Sequence, residues 1–205
     1  MSIEASAKRT RVRRSPEAAR ENILAAAEAL LIEKGPQALK LADVAAAAGV
    51  VHATVLHHFG SIADVHTALM ERMIRQLVAQ ILEADDPDEP AATRAESGAR
   101  MLFDAFESRG AARLAAWLEL TGESRRLTLV REAVNEVVAN RLAPKGLDPA
   151  AAEDLVLVSV TLAMGVGLFG DSLAELMGKP PGRTRELAAN LLRGWMAAFS
   201  AGLIR

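Results

Sequence analysis

The histidines His52, His57, His58 and His66 fall within one short stretch, and such a cluster first raises metal ligation. A metal needs donors that converge on one point. Only His58 and His66 remain as a pair beyond the helix that carries the others, and Gly60-Ser61 breaks the phase between them. No metal site is expected. Asp104, Glu107, Glu119 and Glu123 could pair as acid and base. Acids three or four residues apart, however, are ordinary on solvated helix faces. No glycine-rich phosphate loop, metal-ligand pattern or nucleophile elbow accompanies them, and the chain lacks cysteine. Neither catalysis nor a cofactor is expected. Lys8, Arg9, Arg11, Arg13 and Arg14 make a denser signal, five cations within seven residues. They form either a solubilising tail or an arm lying along DNA, with arginines reaching phosphates or the minor groove.

An arm of that kind needs a folded head beside it to set its position. Ser15-Pro16-Glu17 reads as a helix start, with a capping hydroxyl, proline in the first turn and an acid favoured by the dipole. Ile23, Ala27, Leu30 and Leu31 give that helix a buried stripe, and Gly35-Pro36 stops it. Leu41, Val44, Ala45 and Ala48 then lie on one face of a short helix. Gly49 comes next, where a helix end favours positive φ, and helical spacing resumes through Val55, Leu56 and Phe59. Alanines at 45–48 let the second helix cross the first closely. This is the plan of a helix-turn-helix, whose second helix enters the major groove. Charge agrees: residues 1–60 hold 8 Lys+Arg against 6 Asp+Glu, whereas 61–205 hold 16 against 20.

The stretch Ile23–Met70 resembles the tetracycline-repressor (TetR) family of bacterial transcriptional regulators. The resemblance is carried by ILAAA at the start, Glu33-Lys34-Gly35, Asp43–Val50 (DVAAAAGV), Thr54, His57-His58-Phe59 and Ser61 before the next helix. It implies an all-α chain: a three-helix N-terminal helix-turn-helix domain and a larger C-terminal helical ligand-binding and dimerisation domain. The boundaries read as an arm over 1–14, a DNA-binding domain over 15–60 and the second domain over 61–205. Candidate DNA contacts are Arg9, Arg11, Arg13, Arg14, Lys40, Val51, His52, Ala53, Thr54, His57 and His58. Thr54 can bond phosphates or base edges, Val51 and Ala53 can touch thymine methyls, and the histidines can donate to phosphate.

Several positions depart from the family pattern. Leu39 and Lys40 stand where Ser or Thr usually caps the second helix, Val51 replaces the usual Ser, Leu56 the Tyr, and Ile62 the Lys or Arg. Either Lys40 and the basic arm supply the missing phosphate contacts, or the scaffold binds DNA weakly and serves as a helical ligand-binding or interaction protein.

Beyond Ser61 the spacing predicts helices throughout. The first, Ile62 to about Ala84, carries two apolar rows: Val65, Leu69, Met73, Leu77, Ile81 and His66, Met70, Ile74, Val78, Leu82. Helices are then expected over 91–108, 111–121, 123–142, from 148 to about 169, and over 184–203. The resemblance implies a small-molecule pocket under the long fourth helix, with Phe103, Phe106, Trp117, Met164 and Phe169 as candidate walls; core packing is the plain alternative. Glu119, Thr121, Ser159 and Thr161 are the polar groups that could orient a mostly apolar effector. The resemblance also implies a homodimer seam built from the last two helices, with Leu155, Val158, Leu162, Gly165, Leu187, Leu191, Trp195 and Phe199 as its candidates; completion of the monomer core by the terminal helix is the plain alternative. A double-stranded operator, a second copy and a small effector are thus the expected partners. The apolar run 155–169 is shorter than a bilayer span, so a cytoplasmic protein is expected.

Overall fold

Ser15 starts the first helix as its sequence implies: its Oγ accepts from the Ala18 N–H at 3.2 Å. The computed structural model describes residues 15–84, Asp86, Asp88 and 91–200. The basic arm with Arg9, Arg11, Arg13 and Arg14 lies outside the described residues, as does the side chain of Phe199. Helix α1 (Pro16–Lys34) buries Ile23, Leu24, Ala27, Leu30 and Leu31. Helix α2 (Leu41–Ala48) starts at Lys40 without any side-chain cap, as the missing Ser or Thr implies. It ends at Gly49, whose φ of 66° is the left-handed conformation that spares a Cβ. The Val50 N–H then bonds back to the Ala45 carbonyl at 3.0 Å, closing the turn into α3 (His52–Phe59). Asn22 Nδ2 donates to the Ala48 carbonyl at 2.8 Å and ties α1 to the same turn.

Helix α4 (Ile62–Glu83) is capped by Ser61, whose Oγ accepts from the Asp64 N–H. The remaining α-helices are α5 (Ala91–Phe106), α6 (Ala111–Leu120), α7 (Val130–Val137), α8 (Pro149–Gly165), α9 (Asp171–Leu176) and α10 (Arg183–Ser200). No strand occurs among the described residues, and the all-α expectation holds. The two halves of α4 serve two cores. Val65, Leu69, Met70 and Met73 close the first core with α1–α3, while Leu77 packs against a second core among α5, α8 and α10. The first core does not end at residue 60, because Ala111, Leu114 and Leu118 of α6 complete it. The head is therefore seated on the body through shared apolar packing.

Two expected helices change shape. The stretch predicted as one helix over 123–142 begins with a 3₁₀ turn, Ser124–Arg126, and becomes α-helical only at Val130. The turn carries Arg126, which pairs with Asp64 of α4 and with Glu123 three residues before it. Ser61 Oγ also donates to Asp64 Oδ2 at 2.5 Å, and that bond, ahead of Arg126, holds the Asp64 carboxyl below its usual range. The helix expected to stop near Phe169 instead continues through a π turn, Val166–Gly170, into α9. The joined run Pro149–Leu176 has 28 residues, and its most apolar 18-residue window has a mean hydropathy of 1.8, long and apolar enough by length and composition to cross a membrane, as the core helix of a soluble protein can also be. This corrects the helix end expected near Phe169. In the fold, Ala152, Leu155, Ala163 and Val166 pack into the second core.

His66 lies in the seam between the first core and α6. It is 5% exposed, its Nε2 has no hydrogen-bond partner, and its ring meets Trp117 edge-on at 6.3 Å. Burial pushes its pKa below the ordinary 6.5, with Glu123 pulling weakly the other way. The unfolded chain therefore binds this proton more readily than the folded one. Stability is fully present above about pH 6.5 and declines as pH falls towards the depressed folded value. His66→Phe is expected to flatten that decline, read as thermal melts at about pH 5.5 and about pH 7.5. An unchanged pH slope in the variant would remove His66 from the seam's acid response.

Candidate DNA-reading helix and effector cavity

Helix α3 is held from one side by Val55 and Phe59, both buried in the first core. Its other side is bare. Val51 is 66% exposed, His52, Ala53 and His57 are exposed, and Thr54 and His58 are half-buried. The candidate contacts of α3 thus share one open face, with Lys40 exposed at the start of α2. The His57 and His58 rings meet in a T-shaped arrangement with centroids 5.4 Å apart. Leu56, 39% exposed, adds an apolar patch where a hydroxyl-bearing ring is usual. Ile62 packs against the first core, so its position is apolar and no longer available to phosphate. Sequence reasoning missed Arg20, whose guanidinium lies 4.7 Å from the Phe59 ring centroid at the end of α3. That contact joins residues far apart in the chain, and no local spacing announces it.

Between α4, α5, α7, α8 and α10 lies a cavity of about 320 Å³, with Leu77, Leu102, Val134, Val160 and Met196 among its walls. The size suits a small organic ligand, and the lining is almost wholly apolar. Of the candidate walls, Phe106 and Met164 stand on it. Phe103 is fully buried in the second core, Trp117 faces His66, and Phe169 is 58% exposed on the outside. Ser159 alone of the polar candidates reaches the lining. Thr121 donates to the Trp117 carbonyl and Thr161 to the Leu157 carbonyl, each at 2.8 Å, while Glu119 is exposed. Arg141, which the sequence did not single out, lines the cavity and is 5% exposed. It donates to the Ile81 carbonyl and, at 2.7 Å, to the Arg94 carbonyl, binding the end of α4 to α5. Gly98 is what admits it, since a Cβ there would sit 2.9 Å from Arg141 Nη2.

Helix α4 therefore touches both candidate sites. Its side chains also grip the head. Arg72 donates to Glu21 Oε1 at 2.7 Å and to Glu28 Oε2, both on α1. Arg109, from the corner between α5 and α6, donates to Glu28 Oε1 at 2.9 Å and to Gln76 Oε1 at 2.5 Å.

On the outer face, Val158 of α8 and Leu187 and Leu191 of α10 are exposed, joined by Leu157, Leu173 and Leu176. Gly165 is exposed; Leu162 and Trp195 are half-buried against the second core. Leu155 is buried within the protomer and lines the cavity.

Residues 23–69 match the family model described as bacterial regulatory proteins, tetR family. No curated protein sequence matches the chain. Solved structures share the fold over nearly its whole length. A tetR-family transcriptional regulator from Streptomyces coelicolor is 18% identical, with a TM-score of 0.67 over 92% of this chain and 84% of its own. A TetR variant from Acinetobacter baumannii AYE, solved with minocycline, is 20% identical, with a TM-score of 0.65 over 90% of this chain and 98% of its own. The fatty acid degradation regulator FadR from Bacillus halodurans is 17% identical, with a TM-score of 0.62 over 88% and 96%.

Proposed function

We propose that this chain, with a tetR-family regulatory head over residues 23–69 and that family's fold beyond it, is a ligand-responsive transcriptional regulator. As a cytoplasmic homodimer it places two copies of α3 on a palindromic operator, in successive major grooves about 34–36 Å apart. A dimer on such a site represses by excluding polymerase. A small, mostly apolar effector entering the cavity releases it.

The observation that carries this reading is the double role of α4. Met70 closes the first core yet also lines the cavity, and Ile74, Leu77, Val78 and Ile81 continue along the same wall. A ligand that prefers a shifted α4 must shift the seat of the head with it. It need not touch the DNA site; differential affinity for the two arrangements suffices. A hundredfold loss of operator affinity requires about 2.7 kcal/mol of such preference.

The apolar exposure of Val51 and Leu56 and the apolar, half-buried Ile62 favour a second reading, a ligand-binding protein whose DNA binding is weak. Fluorescence anisotropy separates the two. The protein is titrated onto DNA from just upstream of its own gene and onto scrambled DNA, at two salt concentrations. Tight, salt-sensitive binding to the native fragment alone is expected. Equal weak binding to both fragments, and no enriched sites in a genome-wide binding survey, would favour the second reading.

A further inference from the structure

Between Lys40 and Arg72 the chain contains no lysine or arginine, although this stretch holds the whole helix-turn-helix. Its fixed charges are Asp43, Asp64 and Glu71, all negative. A duplex presents one negative charge per about 1.7 Å of axis, and a head that docks on it ordinarily supplies cations. The groups placed to do so on α3 are histidines: His52 and His57 exposed, His58 half-buried. Among the described residues no hydrogen bond or ion pair occupies their rings; His57 and His58 touch only each other edge-on. The fourth histidine, His66, is buried beside Trp117.

We propose that His52, His57 and His58 are the proton-dependent phosphate contacts of this head, so that DNA affinity rises as pH falls through the range in which histidine titrates. The proposal rests on the DNA-binding reading above and names a regulation of that same site. Histidine is the side chain whose charge changes between about pH 5 and pH 8. A phosphate brought within contact favours the charged imidazole, and linkage then requires that binding take up protons. The elements packed against α3 are α1, α2 and α4. Their nearby charges are Glu17, Arg20 and Glu21 on α1, Asp43 on α2 and Asp64 on α4. Arg20 is stacked on Phe59, and Asp64 is engaged by Ser61 and Arg126, so neither is paired with a histidine of α3. Among the described residues Lys40 and Arg20 are the fixed cations nearest the face, and with the basic residues of 8–14 they set a binding floor that does not change with pH over this range.

The experiment uses the full chain and two labelled duplexes, the fragment upstream of its own gene and a random sequence. Phosphate contacts carry no sequence information, so both should respond. Anisotropy titrations at matched ionic strength are expected to show at least about tenfold tighter binding at pH 6 than at pH 8. The dependence of log K on log salt should steepen by about 0.9 for each phosphate gained, up to about 2.7 for all three histidines. Calorimetry of the unaltered protein in two buffers of different ionisation enthalpy should record proton uptake near neutral pH. Replacing His52, His57 and His58 together by Gln should keep the weaker binding of pH 8 and abolish both the pH response and the uptake. Circular dichroism at both pH values excludes unfolding. Tight binding that does not vary with pH, or a triple variant that keeps the full response, would overturn the proposal and leave the regulator reading intact. No binding to either duplex at any pH would overturn both.

Discussion

Glu28→Ala is expected to destabilise the protein by about 3 kcal/mol and to weaken the link between cavity and head. Glu28 lies on α1, and its two oxygens take different partners: Oε2 accepts from Arg72 of α4, Oε1 from Arg109 at the α5–α6 corner. The side chains of Glu28 and Arg72 are 12% and 13% exposed, so water screens this cluster poorly. Removing the carboxylate leaves two guanidiniums facing each other across a partly buried space. Glu21, 58% exposed, remains to pair with Arg72, and Gln76 to accept from Arg109. The cost comes mainly from those stranded cations rather than from the bond energy of the pair. Urea unfolding reads it directly. The functional consequence is separate: the cavity does not involve Glu28, so a ligand found to release wild-type protein from DNA should still bind the variant. Its effect on DNA affinity should shrink, because the polar grip of α4 on α1 is reduced to the exposed Glu21–Arg72 pair. Unchanged stability together with undiminished release would show that shared packing alone couples the two sites.

The contrast between the head and this clamp explains what the sequence could reveal. Ser15, Gly35, Gly49 and Ser61 fix the helix ends by contacts within a few residues, and all of them function in the structure as their local spacing implies. The two rows on α4 were legible for the same reason. The Glu28–Arg109 bonds join residues 81 positions apart, and nothing in either neighbourhood signals the other. The cavity was hidden differently. An apolar stripe shows that a helix face is covered, without showing whether the covering helices meet or leave a void. Phe106 and Met164 on its wall and Phe103 in solid core therefore look alike in sequence. Phe169 fails for a third reason. Phe169 stands five residues after Met164, about 140° around a regular helix, so the two could not share one wall whatever the π turn Val166–Gly170 does between them. Met164 before the turn faces the cavity, and Phe169 within it faces outward.

Charging the outer face of α8 and α10 should separate the proposed dimer while leaving each protomer folded. Leu157 and Leu191 are 65% and 66% exposed in the protomer, so Leu157→Glu combined with Leu191→Glu disturbs little that a single chain has buried. In an isologous seam the same residues occur on both sides. Each substitution therefore places two buried charges in the interface, without a partner for either. A stable interface buries about 800 Å² on each side, and the exposed Leu157, Leu173, Leu176, Leu187 and Leu191 offer apolar surface for it. Light scattering after size exclusion is expected to show a monomer with an unchanged helical spectrum. Operator affinity should fall by about a hundredfold or more, because the second head loses the effective concentration that its partner provided. Binding to random DNA, which one head can manage, should change far less. Leu155→Ala provides the contrast within the same helix: Leu155 is 6% exposed and packs inward, so its truncation should lower protomer stability by about 2–5 kcal/mol and leave the dimer's self-affinity nearly intact. Should the doubly charged protein stay dimeric, the seam lies elsewhere, and the exposed apolar face of the 149–176 run would need a different occupant.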